Sequence, residues 1–443
     1  MNVVLDILLP LFYLLFLLAL IGKLHYFKNS GFSSLSLSFA FILKVFAGFF
    51  VYVIYSQYYP NRLEADTFRY FDDSKIMFES IQHSPLDFLK MLTGIGCNTE
   101  EFNIEYFNRM YNWFRPYDDG LFNDNRLIIR INAFIRIFSF GNYHVHSIFF
   151  NFLSFLGLVE LGKFFLKQRF SKGAVYFVLF LIPSFVFWSS GILKETILVA
   201  ILGVFLHQLY RVSVEKYNPL AILIVLTCFF LLAILKIYVL VSFVPLVVFL
   251  LVRNQPWPIF GNTYFPLVFS LVLFSIFSLF PLGIDPIKII VTKQHNFIAL
   301  AEFLDAQSKI DIPYLRENIG SFLSATPSAF VNTLLRPFPW DIHSVIILLP
   351  FLENVLFILL IGMILYTRKT MLDSFIDKKM VFQFMVVVVF LFIIIGLTTP
   401  VIGAIVRYKV PALPFLYLVV VEQIHFNALR PLSKTRSWLL SKL

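Results

Sequence analysis

Five stretches of this chain place ionisable groups in or beside apolar sequence. The first, ADTFRYFDDSK at 65–75, carries Asp66, Arg69, Asp72 and Asp73. In a helix, Asp66, Arg69 and Asp73 are near neighbours by i+3 and i+4 spacing. That arrangement suits a carboxylate acting as general base with a cation to orient it; it equally suits an exposed helix start with solvated acids. Asp72 and Asp73 are as eligible for the base as Asp66. The second, PSFVFWSSGILKE at 183–195, breaks at Pro183 and Gly191 and enters the next apolar run with Lys194 and Glu195. Backbone amides left open at such a corner, beside an ammonium group, favour an anion such as phosphate. The plainer reading has Lys194 and Glu195 paired with each other and snorkelling at a hairpin tip.

The other three follow the same logic. Lys236 stands inside LLAILKIYVLVSFVPL, between two runs, where it either faces a ligand or snorkels at the interface. Arg336 lies in TPSAFVNTLLRPFPWDIHS at 326–344, where Pro337 and Pro339 impose an extended backbone and Trp340 suits an interfacial anchor. Arg407 and Lys409 lie in TTPVIGAIVRYKVPALPFLYL at 398–418, interrupted by Pro411 and Pro414. Lys409 could snorkel outward; Arg407 is harder to account for in that way.

The elements that must position these residues are membrane spans. The 443 residues are 59% hydrophobic and 14% charged, with 56 Phe, against about 25% charged in soluble domains. Apolar runs of about 20 residues, enough to cross the hydrocarbon, recur from end to end, near 3–22, 35–56, 142–162, 174–189, 191–210, 219–235, 237–252, 262–281, 343–366, 380–397 and 408–425. The expected fold is an all-α integral membrane protein, one polytopic domain over 1–443 with about eleven spans. The first run has no basic leader and no small-residue cleavage site, so it reads as a retained span.

Basic short loops set the orientation. Lys23, His25 and Lys28, then Lys163, Lys167, Arg169 and Lys172, then Arg211 and Lys216, Arg253, Arg368, Lys369, Lys378 and Lys379, and finally Lys434, Arg436 and Lys442 fall on one side. That side is expected to be cytoplasmic, with the C-terminus inside and the N-terminus outside. Two long segments, 57–141 and 282–342, then form external loops with interfacial amphipathic helices. RLIIRINAFIRIF, with Arg126 and Arg130, is expected to be one of them. Because the positive charges flank spans, the net charge of +10 implies no nucleic-acid partner.

The chain lacks a P-loop, a dinucleotide fingerprint, a zinc-protease helix and a paired-cysteine motif. Cys97 and Cys228 are not expected to pair, and His144 and His146 read as interface residues, so no metal and no cofactor are expected. The absence of an N-x-Ser/Thr sequon fits a bacterial source. In the expected topology Lys194, Lys236, Arg336, Arg407 and Lys409 share one face near the headgroup plane, with Arg69 and Glu195 beside them. Arginine suits bidentate phosphate contacts and lysine point-charge neutralisation, so the expected ligand is a lipid phosphate or diphosphate.

With an acidic motif in a large first external loop, the chain resembles the GT-C fold of polyprenyl-phosphate-dependent glycosyltransferases. FWSSGILKE and IVRYKVPALPF look like segments of multi-span cell-envelope glycan enzymes of Bacteroidota-like bacteria. The resemblance implies that Asp66 deprotonates the acceptor hydroxyl, and that the basic cluster stabilises the lipid phosphate leaving a polyprenyl-linked sugar. It implies a glycan, lipid or protein acceptor at the periplasmic face of a bacterial inner membrane. The chain departs from the family in having two spans, not one, before the acidic loop, and no sizeable soluble domain after the last span. Two further readings remain. One is an O-antigen or exopolysaccharide polymerase joining polyprenyl-diphosphate-linked repeat units. The other is a transporter of lipid-linked glycans or small molecules, against which stands the expected gathering of charge on one face, since transporters bind near the bilayer midplane.

Overall fold

The structure is a computed structural model that describes residues 3–58, 61–114, 122–215, 218–256, 258–279, 285–342, 344–367 and 377–424. Lys216, Arg368, Lys369, Lys434, Arg436 and Lys442 of the charge pattern lie outside the described residues. Among the described residues the regular structure is helical, apart from an isolated bridge between Lys309 and Val401. Among the described residues eight helices are long and apolar enough to cross a bilayer, which makes the chain a multi-pass membrane protein. The difference from about eleven comes from runs that are broken or short.

The first compact unit comprises 1–159, 186–201 and 233–236. It begins with α1 (Val3–Lys23), α2 (His25–Lys28) and α3 (Ser34–Tyr58). A layer of short helices follows: α4 (Asp66–Glu79), α5 (Pro85–Thr93), α6 (Glu100–Glu105) and α7 (Asn125–Ser139), before α8 (Tyr143–Lys167). Local signals set their ends. At α5 the Ser84 side chain accepts from the Asp87 amide, Pro85 opens the helix, and Gly94 closes it with φ 81°, the left-handed cap that glycine takes without steric cost.

Within this layer α4 packs on α7 through a buried arginine. Arg136 donates from Nε to Ser74 Oγ at 2.8 Å and from its terminal nitrogen to the Phe71 carbonyl at 2.6 Å, and lies 4.2 Å above the Phe71 ring. Burial pushes its guanidinium down to about 10, which leaves it charged at neutral pH. Arg126 and Arg130 tie the layer together. Arg126 Nε donates to the Trp113 carbonyl at 3.1 Å and Arg130 Nε to that of Met91 at 2.7 Å. Both guanidinium groups lie over the Trp113 ring, 5.0 and 5.2 Å from its centre, and Phe107 stacks on that ring at 4.0 Å. Ile128, Ile129, Ala133 and Ile135 of α7 are buried, while Phe134 and Ile137 are exposed.

The expected span 174–189 is α9 (Lys172–Phe180) and α10 (Pro183–Trp188), broken at Leu181 and Ile182. Pro183 has no amide to continue the ladder. Next come α11 (Lys194–Val214) and α12 (Pro219–Val252). A straight helix of the 34 residues of α12 would be about 51 Å long. Yet Asn218, just before it, donates to Glu215, and Asn254, just after it, donates to the Ser213 carbonyl at 2.9 Å. Both ends therefore lie beside the end of α11. The run folds back at Lys236, whose backbone is non-helical (φ −155°, ψ 82°), into the two arms expected from the sequence, 219–235 and 237–252.

The second unit comprises 160–185, 202–232 and 237–443. Its later helices are α13 (Phe265–Leu279), α14 (Pro286–Phe303), α15 (Ile319–Leu335), α16 (Val345–Thr367), α17 (Lys378–Thr398), α18 (Ile402–Tyr408) and α19 (Leu413–Glu422). The expected last span, 408–425, starts earlier, at Ile402, and is interrupted by a tight turn over Val410–Ala412. α15, expected as an interfacial helix of the second loop, lies antiparallel along α17. Thr333 Oγ1 donates to the Phe392 carbonyl at 2.9 Å, while Gly396 packs on the backbone of Ala329. Small residues on both sides, Ala325, Ala329 and Gly396, allow this approach, as in membrane helix pairs generally.

A Cβ on Gly396 would stand 2.0 Å from the Ala329 carbonyl oxygen, whereas one on Gly362 of α16 would meet nothing within 4 Å. Gly396→Ala is therefore expected to destabilise the protein by about 1–3 kcal/mol. Gly362→Ala is expected to leave it unchanged or slightly more stable. Thermal denaturation of the two purified variants in nonionic detergent measures the difference.

Candidate functional site

Three buried charges inside the spans obey one rule. Lys44 is the one charged residue of α3, and its ammonium group donates to the Ser189 carbonyl, to Ser189 Oγ at 2.8 Å and to Ser190 Oγ at 3.2 Å, just past the C-terminal end of α10. Glu353 is the one charged residue of α16. It accepts the Ser184 amide at 2.6 Å, in the first turn of α10, and the Tyr417 hydroxyl at 3.4 Å. Lys409 donates to the carbonyls of Thr333 at 3.3 Å and Arg336 at 3.4 Å, at the C-terminal end of α15. Cations thus sit at helix C-termini and the anion at an N-terminus, where backbone groups lack partners and the helix dipole favours that sign.

These positions modify the sequence expectation. Lys409 and Arg336 do come together, through the Arg336 carbonyl. Thr333 pairs with Phe392, six residues short of the end of α17, or about 9 Å along it. Arg336 is also bound to Asp341 at 2.8 Å and to Asn332 Oδ1 at 3.1 Å. Arg407 is half-buried on α18. Nothing in the sequence reading singled out Lys44, although one charge midway along an otherwise apolar run is the signal that finds it.

Lys194 does not follow the rule, and Lys236 shares its partner. Lys194 is the first residue of α11, where the dipole disfavours a cation, and Lys236 stands at the fold-back of α12. Both point at one carboxylate: Lys194 Nζ lies 2.8 Å from Asp124 Oδ1 and Lys236 Nζ 3.2 Å from Asp124 Oδ2. Asp124 immediately precedes α7 and is buried. Lys194 lies 5.8 Å from the centre of the Tyr70 ring, whose hydroxyl donates to Asn125 Oδ1 at 3.1 Å. Asp66, half-buried in the first turn of α4, is within electrostatic reach of Lys194. Two ammonium groups therefore surround a seat that already holds an anion, the protein's own. Asp124 was not anticipated; an acid before a helix reads from sequence as an ordinary cap.

The rest of the expected acidic motif has other duties. Asp72 forms a two-pronged pair with Arg62 at 2.8 and 2.9 Å on the surface. Arg69 donates to the Leu63 carbonyl and to Asn112 Oδ1 at 3.3 Å. Asp73 is buried and accepts the amides of Tyr111 and Asn112, each at 2.8 Å. Burial pushes its carboxyl up to about 6, helped by Asp72 and opposed by the two amides and Arg69. Glu195, next to Lys194, is buried. The Gly191 amide, one of those at the corner before α11, is taken by Asn151 Oδ1 at 2.9 Å.

Among the described residues no group of three or more His, Cys, Asp and Glu is placed to hold a metal ion. Cys97 and Cys228 are both free and buried. His146 sits between Ser139 Oγ at 2.7 Å and Asn132 Oδ1 at 2.8 Å. No family model, no curated protein and no solved structure matches the chain.

Asp73 generates a pH prediction. Its raised folded-state value means that the folded chain holds this proton more tightly than the unfolded chain. Its contribution is complete below about pH 4 and is lost as pH rises through about 6. Over that window the wild type is expected to lose up to about 3 kcal/mol through this group, and Asp73→Asn to lose that dependence. Melting temperatures of both proteins from pH 4 to 7 report it.

Proposed function

We propose that this chain is a membrane glycosyltransferase moving a sugar from a polyprenyl-phosphate-linked donor to an acceptor hydroxyl at the membrane face where α4 lies, the periplasmic face of a bacterial inner membrane. What supports this reading most is the anion seat formed by Lys194 and Lys236, with Asp66 in reach. The GT-C resemblance supports the same assignment, because α4 follows directly on a span and carries its acid in its first turn.

In this mechanism Asp66 takes the proton of the acceptor hydroxyl. The oxygen attacks the anomeric carbon as the bond from that carbon to the phosphate oxygen breaks, and the electron pair leaves with the lipid phosphate. Lys194 and Lys236 neutralise the charge that develops there. Preorganised charge of this kind is often the largest catalytic term. The donor lipid and a glycan, lipid or protein acceptor are the partners, and no cofactor is required.

A second reading, transport, is favoured by one observation. Glu353 and Lys409 lie within spans; Glu353 meets the start of the short α10 and Lys409 stands where its span is interrupted, and transporters place binding groups at discontinuous helices.

The test is surface-glycan analysis of a deletion strain complemented with wild type, Asp66→Asn or Lys194→Met at matched expression, together with transfer rates of the purified proteins. Loss of glycan and a rate loss of about 10²–10³-fold for each variant are expected. Retention of single repeat units with loss of long chains would redirect the assignment to a polymerase using diphosphate-linked units. Full complementation by both variants would refute the catalytic reading and favour transport.

A further inference from the structure

We infer that Asp124 is a built-in competitor for the anion seat. Its carboxylate holds Lys194 and Lys236 while the seat is empty of substrate, and it is displaced when a singly charged phosphodiester binds. The inference rests on the phosphate reading of the seat and adds the residue that controls entry to it.

Three observations carry it. First, the seat is occupied by a side chain of the right charge: Asp124 bridges both ammonium groups through its two oxygens, at 2.8 and 3.2 Å. A phosphodiester presents the same single negative charge and the same kind of paired oxygens, so exchange leaves the local charge unchanged. Second, Lys194 has no helix-capping duty of the sort that explains Lys44 and Lys409. It stands at the wrong end of its helix for the dipole, so its ammonium group is placed for an anion. Third, Asp124 has another place to go. It stands at the start of α7 and its side chain makes no capping hydrogen bond to that helix, because Asn123 Oδ1 takes the Asn125 amide at 3.1 Å. Turned from the lysines toward the first turn of α7, a helix of 15 residues, the carboxylate would meet the positive end of a dipole. The carboxylate thus has two seats of similar chemistry, and a ligand anion decides between them.

The test is direct binding, independent of turnover, to the full-length protein in nonionic detergent, with methyl farnesyl phosphate as the singly charged diester and farnesyl methyl ether as the uncharged control. Removing the competitor raises the fraction of open seats. Asp124→Asn is expected to bind the diester roughly 10- to 100-fold more tightly than wild type, with no change for the ether. Asp124→Ser, which keeps a capping oxygen for α7 but no charge, is expected to do the same and serves if the asparagine variant folds poorly. Asp66→Asn also removes a negative charge near Lys194 without vacating the seat, and is expected to change affinity much less.

Unchanged or weaker diester binding in the Asp124 variants, with binding still abolished by Lys194→Met, would overturn the competitor while leaving the phosphate seat intact. Equal tightening by Asp66→Asn would also overturn it, by reducing the effect to general charge. Diester binding insensitive to Lys194→Met would remove the seat itself, and the functional reading with it.

Discussion

In hydrocarbon an interrupted helix cannot leave its ends to water, and that requirement organises much of this molecule. α10 is six residues long, too short to stand alone, and both of its ends are met by charges from other spans. Glu353 takes the Ser184 amide, and Lys44 takes the Ser189 carbonyl and two serine hydroxyls. α15 stops beside the middle of α17, and Lys409 meets its last carbonyls. Each charge is itself costly to bury. Each is stabilised by backbone groups that would otherwise be stranded, so charge and break hold one another in place.

Against that background, Lys194 and Lys236 stand out. Burial of a cation needs a reason, and the start of α11 supplies none for Lys194. The partner they share arrives from outside the spans, from the layer of α4 to α7. That layer is held by side chains whose carboxylates and guanidinium groups are mostly engaged with backbone: Asp73 with two amides, Arg130 with Met91, Arg136 with Phe71. A rigid layer can present Asp66 and Asp124 at fixed positions. A loop of solvated acids could not.

Much of this was legible in the sequence and some was not, for identifiable reasons. Length and hydropathy located the long spans, and the charge inside LLAILKIYVLVS located the fold-back at Lys236, because a lysine between two apolar runs has few other places to be. Grouping the basic residues on one face was legible only in part. Lys194 and Lys236 do converge, but through Asp124, which the sequence did not single out. Lys409 and Arg336 also converge, because α15 runs along α17. Nothing in the periodicity of IGSFLSATPSAFVNTLL distinguishes an interfacial helix from one that packs through its alanines. Asp73 illustrates the remaining limit: spacing put it beside Asp66 and Arg69, but only the fold of residues 110–114 shows that two amides claim it.

The position of α15 also implies an order of assembly. Its groove is formed by Phe392 to Gly396 and its final carbonyls are met by Lys409, all made after α15 itself has left the ribosome. Until about seventy further residues follow, α15 has neither its packing surface nor its cap. A helix with open carbonyls has no stable place in hydrocarbon, so α15 settles only once later spans are in place. Although four α-helices follow it in the chain, α15 is among the latest to settle, and the second unit closes over a segment synthesised well before its neighbours.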